Sequence, residues 1–250
     1  MEIQLVSFDI SRFTAKERQF RIDSITKILN ETAADFIMFS QHVLNNKEDL
    51  EAIEKNVHNN KIVALFELKE SNDLKGNRLY IFKDGSLFNL KTYQIFATSQ
   101  EATEDYIEYL IAELEQRRQF EVAGKHFLIF QCGENNILKG NSSTAEFRIS
   151  NRLDLKKQFA KILDDADIIL NPVHSRWSRY GCFLSRMRKF SEKKRYCFSC
   201  TRLLDERQLK RARQSPGHNV TQVVMHSKRL VNPIYTNEFE PYLLQSYIIE

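Results

Sequence analysis

The chain has 250 residues, 42% hydrophobic and 28% charged, with a formal net charge of +4, the composition of an ordinary globular protein large enough to bury a core. No apolar run approaches the roughly 20 residues that a membrane-spanning helix needs, seven glycines form no phosphate- or dinucleotide-binding loop, and four cysteines behind an N-terminus without secretory character point to free thiols in the cytoplasm. Thirteen of the basic residues fall in 176–213 against Glu192, Asp205 and Glu206; such a run is more often a solvated face than a nucleic-acid surface, so nucleic acid is not the expected partner.

In chain order, 3–8 (IQLVSF) predicts a strand and 14–32 an amphipathic helix with Phe20, Ile25, Ile28 and Leu29 on one face. The apolar run 34–40 (ADFIMFS) predicts a buried strand, followed by a short helix near 47–57. Segments 61–68, 78–83 and 86–91 are strand-like, and Asp84-Gly85 between the last two is a strong hairpin signal. Residues 100–120, acidic early and basic late, suit a helix and its dipole. A helix over 152–166 and strands at 167–172, 195–201 and 222–227 complete the pattern, with 203–220 as an exposed loop. The order predicts one α/β domain, 1–250, with a mixed and largely buried sheet.

Between these elements, "FLIFQCGENN" (127–136) ends an apolar strand on Cys132 and turns at once into glycine and polar residues. A strand-to-turn junction exposes a nucleophile while nearby backbone N–H groups face a developing oxyanion. The thiolate is the reactive form and needs a base or cation nearby. The alternative is a buried, inert cysteine.

This stretch resembles the nucleophile strand of the nitrilase superfamily of carbon–nitrogen hydrolases. So, in the same order as in that family, do "ADFIMFSQHVL" (34–44), "LYIFKDGSLFNLK" (79–91), "DADIILNPVHSRW" (165–177) and "RMRKFSEKKRYCFSCT" (186–201). The resemblance implies a four-layer αββα sandwich that frequently assembles into dimers and larger homo-oligomers through its outer helices. It also implies a small-molecule amide or nitrile substrate and no cofactor. It assigns Cys132 as nucleophile, Lys91 at the end of the hairpin as electrostatic stabiliser, and the Gly133 N–H as oxyanion donor. Glu134 would orient Lys91, Glu101 would be a second supporting carboxylate, and Asn171 and His174 would face the pocket.

The general base of the family is a glutamate after a proline, and here that pair reads Ser40-Gln41. An amide cannot accept a proton at neutral pH. Three explanations stay open: an engineered exchange, a naturally silent relative that binds a ligand or protein partner, or an offset register in which Glu67 or Glu134 is the base. Arg176 and Arg179 are candidates for selecting an anionic substrate, against a simple solvated role. Cys197 and Cys200, with Cys182 and His174, lack the second paired motif of a zinc site, and strand alternation puts Cys197 and Cys200 on opposite faces, so no metal is expected.

Overall fold

The protein was analysed as a computed structural model, which describes residues 1–9, 14–70, 76, 78–173, 179–203, 220–239 and 242–250. His174, Arg176 and almost all of the basic 203–220 connection lie outside these residues.

The first half opens with β1 (Glu2–Phe8), α1 (Ala15–Glu31), β2 (Phe36–Phe39), α2 (Lys47–Asn56) and β3 (Val63–Glu67). β1, β2 and β3 run parallel. α1 starts at a capping box in which Thr14 and Glu17 satisfy each other's backbone N–H groups. Ile22, Ile25, Ile28 and Leu29 are buried, but Phe20 is 48% exposed, contrary to expectation. At 100° per residue Phe20 lies on the far side of the helix from that stripe.

β4 (Leu79–Lys83) and β5 (Ser86–Asn89) form the expected hairpin. Asp84 and Gly85 both have positive φ, 51° and 75°, as a type I′ turn requires. α3 (Glu104–Gln116) ends four residues before the predicted boundary. The following residues pair instead as β6 (Gln119–Val122) against β7 (Lys125–Ile129).

A 3₁₀ turn (Cys132–Ile137) leads into the small hairpin β8 (Leu138–Gly140) and β9 (Ala145–Phe147). α4 (Leu153–Asp165), β10 (Ile168–Pro172), α5 (Tyr180–Phe190) and β11 (Tyr196–Cys200) follow. The chain continues as β12 (Gln222–His226), β13 (Arg229–Leu230), β14 (Tyr235–Phe239) and β15 (Tyr242–Ile248). The last three strands were not anticipated.

Two large sheets result. One has the order β14-β15-β1-β2-β3-β4-β5 and the other β13-β12-β11-β10-β7-β6. Because strand side chains alternate, each sheet has two apolar faces to cover. Ile3, Leu5, Phe36, Met38 and Leu65 of the first sheet pack against Phe127, Ile129, Ile168, Leu170 and Phe198 of the second. Val6, Ile37, Phe39 and Phe66 face outward onto Ile25, Leu29, Leu50 and Ile53 of α1 and α2. Leu128, Phe130, Ile169 and Cys197 face the other way, onto α3, α4 and α5. The layers are therefore helix, sheet, sheet, helix: the αββα sandwich. Among the described residues no helix is long and apolar enough to cross a membrane.

Candidate active site

In both sheets candidate residues lie at or just past the C-terminal ends of parallel strands, the usual position for a site in α/β folds. Ser40 and Gln41 follow β2, Glu67 ends β3, Cys132 follows β7, and Asn171 lies near the end of β10. Gln41 and Glu67 are buried, and Cys132 is 8% exposed.

The Gln41 Nε2 donates to Glu67 Oε2. Burial, reinforced by Glu134 and opposed by the Gln41 and Gln131 amides and Arg118, holds the Glu67 carboxyl up at about 8. Gln131 lies beside that carboxyl, although neither of its polar side-chain atoms has a hydrogen-bond partner of normal geometry. The polar ends of the two sheets thus meet at Glu67.

Glu134 organises the turn that begins at Cys132. Its Oε2 accepts the Gln131 N–H at 2.8 Å, and its Oε1 accepts the Ile95 N–H at 2.7 Å. Its charge is met by Arg118, and both side chains are fully buried. Arg118 also donates from Nε to Thr92 Oγ1 at 2.9 Å and from Nη2 to the Tyr93 carbonyl at 2.6 Å. Thr92 Oγ1 in turn donates to Glu113 at 2.7 Å. An ion pair held by this many hydrogen bonds offsets its desolvation and fixes the segment 92–95 against the turn.

Gly133 shows how close that approach is. A Cβ built there would lie 1.9 Å from the Ala97 carbonyl oxygen, so only glycine fits. Asn171 holds the turn from the other side: its Nδ2 donates to the carbonyls of Phe130 and Cys132 at 2.9 and 3.3 Å. Its Oδ1 accepts from Asn135 at 3.4 Å. Asn171 is thus a brace for the Cys132 turn.

Three expectations meet a different geometry. Lys91 is exposed with φ 51°; its backbone N–H bonds to Asn89 Oδ1 at 2.7 Å, and its ammonium has no hydrogen bond or ion pair among the described residues. Glu134 accordingly faces Arg118 and not Lys91. The cause is local: the left-handed residue turns the chain after β5, so that Thr92 is buried and Lys91 points to solvent. Glu101 is also exposed. It accepts the Ala97 N–H at 2.8 Å, which holds its carboxyl below the ordinary range, so it closes a local turn.

Arg118 was missed because "EQRRQF" reads as the basic end of a helix. The signal that could have found it is Glu134, an acid two residues after a buried thiol that needs a buried cation. Cys197 and Cys200 are fully buried on opposite faces, Cys197 with Sγ 3.3 Å from Met187 Sδ and Cys200 in the inter-sheet core. Desolvation pushes both thiols far up. No group of three His, Cys, Asp or Glu among the described residues could hold a metal.

No protein-family profile and no curated protein matches the sequence. The fold nevertheless matches solved structures over nearly its whole length. XC1258 from Xanthomonas campestris, a CN-hydrolase superfamily protein with an arsenic adduct in its active site, is 10% identical; 98% of this chain and 90% of that one are covered, with a TM-score of 0.55. An amidase from Nesterenkonia sp. is 10% identical over 99% and 90%, with a TM-score of 0.54. A mutant of the amidase from Nesterenkonia sp. AN1, with a glutamate replaced by leucine, is 9% identical over 99% and 90%, with a TM-score of 0.53; it shows covalent addition of the acetamide moiety of fluoroacetamide at the active-site cysteine. The fold of this chain is that of the carbon–nitrogen hydrolase, or nitrilase, superfamily.

Proposed function

We propose that the chain is a single nitrilase-like domain whose Cys132 attacks the carbon of a small non-peptide amide or nitrile, with turnover slow or absent because Gln41 stands where the family carries its base. The observation that carries this reading is the position of Cys132: a thiol at the first residue of a tight turn, at the C-terminal end of a parallel strand, beside the buried Gln41–Glu67–Gln131 cluster. Glu134 is committed to Arg118 and two backbone donors. Glu67 is therefore the carboxyl able to take the thiol proton and deliver it to the leaving amine of an amide or to the nitrogen of a nitrile, after which water releases the acid. A carboxyl held near 8 is protonated in most molecules at neutral pH, which is consistent with slow chemistry. The Gly133 N–H serves as oxyanion donor.

Fluoroacetamide tests this. Intact mass should show one acetamide moiety added, mapped to Cys132 and lost in Cys132→Ala. The absence of any adduct on Cys132 in the folded protein would overturn the thiol reading. A second reading, a catalytically silent binding module, is favoured by the exposure of Lys91. It predicts that ligand binding survives Cys132→Ala.

A further inference from the structure

Beyond Asn135 three guanidinium groups gather with no carboxylate partner among the described residues. Arg186, on the inner part of α5, donates from Nη1 to Asn135 Oδ1 at 3.0 Å, while its buried Nε has no hydrogen-bond partner. Arg148, just past β9, donates from Nε to the Asn136 carbonyl at 2.6 Å. Arg179 precedes α5, whose first turn lies against the β8–β9 hairpin: a Cβ on Gly181 would be 3.0 Å from Ser142 Cβ. Burial, with Arg148 and Arg179 adding to its effect and Cys182 opposing it, lowers the Arg186 guanidinium to about 10, and no carboxylate of the described residues contributes.

The three most deeply buried arginines are treated differently. Arg118 has Glu134, Arg195 has Asp164, and Arg21 has Glu17 and Asp49 alongside. Like charges drawn together and partly desolvated are unfavourable unless an anion joins them. The cluster also connects to the nucleophile turn. Arg186 holds Asn135, Asn135 bonds Asn171, and Asn171 bonds the Cys132 carbonyl.

We propose that Arg148, Arg179 and Arg186 form an oxyanion subsite that receives a carboxylate or phosphate on the substrate, distal to the carbon presented to Cys132. This rests on the reading of Cys132 as nucleophile and adds the substrate class: an acidic amide or nitrile. Guanidinium forks match both oxyanions, and Arg is favoured over Lys for that geometry.

The test is thermal unfolding of the full chain titrated with sodium phosphate, and separately with sodium succinate, against sodium chloride of equal ionic strength. The expected result is a saturable rise in Tm, on the order of 5 °C at hundredfold excess over half-saturation, with at least one oxyanion. A response to phosphate alone assigns a phosphorylated substrate, and one to succinate alone a carboxylated substrate. Arg186→Gln should abolish the rise; should that variant fail to fold, Arg148→Gln and Arg179→Gln, at less buried positions, should each reduce it severalfold. No rise beyond chloride, or a rise unchanged in Arg148→Gln and Arg179→Gln, overturns the subsite. The rise does not need the thiol and should persist in Cys132→Ala. Loss of fluoroacetamide capture with the rise intact therefore removes the hydrolase reading alone, and capture without the rise removes the subsite alone.

Discussion

Gln41 and Glu67 form a buried amide–carboxyl pair across the ends of two parallel strands, β2 and β3, with the amide donating to the acid. The amide adds no charge, so the proton of Glu67 is governed mainly by the cost of burying its charge.

That gives a stability profile with a definite sign. Glu67 is held up to about 8 in the folded protein against the ordinary 4.5. Between those values the unfolded chain has released the proton and the folded one has kept it, so this group makes stability fall as pH rises through the window. Glu67→Gln should remove that slope and stabilise the protein above about pH 8 by a few kcal/mol. Urea unfolding at several pH values measures both; an unchanged slope in the variant contradicts the assignment.

Gln41→Glu places a second carboxyl against Glu67. The two should share a proton, lowering stability at high pH, while the new acid supplies the missing base. Amide hydrolysis should rise by about 10²-fold or more, read on a panel that includes acidic amides. A destabilised variant with unchanged turnover would favour the silent-module reading.

The Arg118–Glu134 pair is expected to be costly to break from one side. Arg118→Ala strands a buried carboxylate and should cost about 3–5 kcal/mol in chemical denaturation. A cost under about 1 kcal/mol would mean that the two backbone donors alone satisfy Glu134.

Gly133→Ala should force the Cys132 turn away from Ala97, destabilising by about 1–3 kcal/mol and greatly slowing fluoroacetamide capture. By contrast, Lys91→Ala should change stability by less than about 0.5 kcal/mol, as at ordinary surface positions. Its capture rate should match that of the unaltered protein; a large drop would restore Lys91 to the chemistry.

The layers were legible because each apolar run could be read as a strand or helix on its own residues. Asp84-Gly85 marked its hairpin for the same reason. Two other tight turns use residues that carry no such mark. Ala123-Gly124 joins β6 to β7 and Ser227-Lys228 joins β12 to β13, all four with positive φ. With Ala and Lys in left-handed positions, tertiary pairing overrides local preference. Cys132 was legible as the end of a strand. Its surroundings were not, because the Glu134 partners lie 16 and 39 residues away and no periodicity encodes such distances. Lys91 fell where the resemblance led, but one left-handed residue sufficed to turn it outward.

The brace from Asn171 has a consequence for biosynthesis. Chains emerge N-terminus first, and Phe130 and Cys132 wait for a side chain 41 and 39 residues downstream to take their carbonyls. Until that stretch has left the ribosome and β10 has zipped alongside β7, the Cys132 turn lacks one wall. Cys132 is then an unshielded thiol of ordinary character, so a nascent chain should be labelled by any alkylating reagent without discrimination. Selectivity for an amide-bearing probe would appear only once Asn171 has been made and has docked.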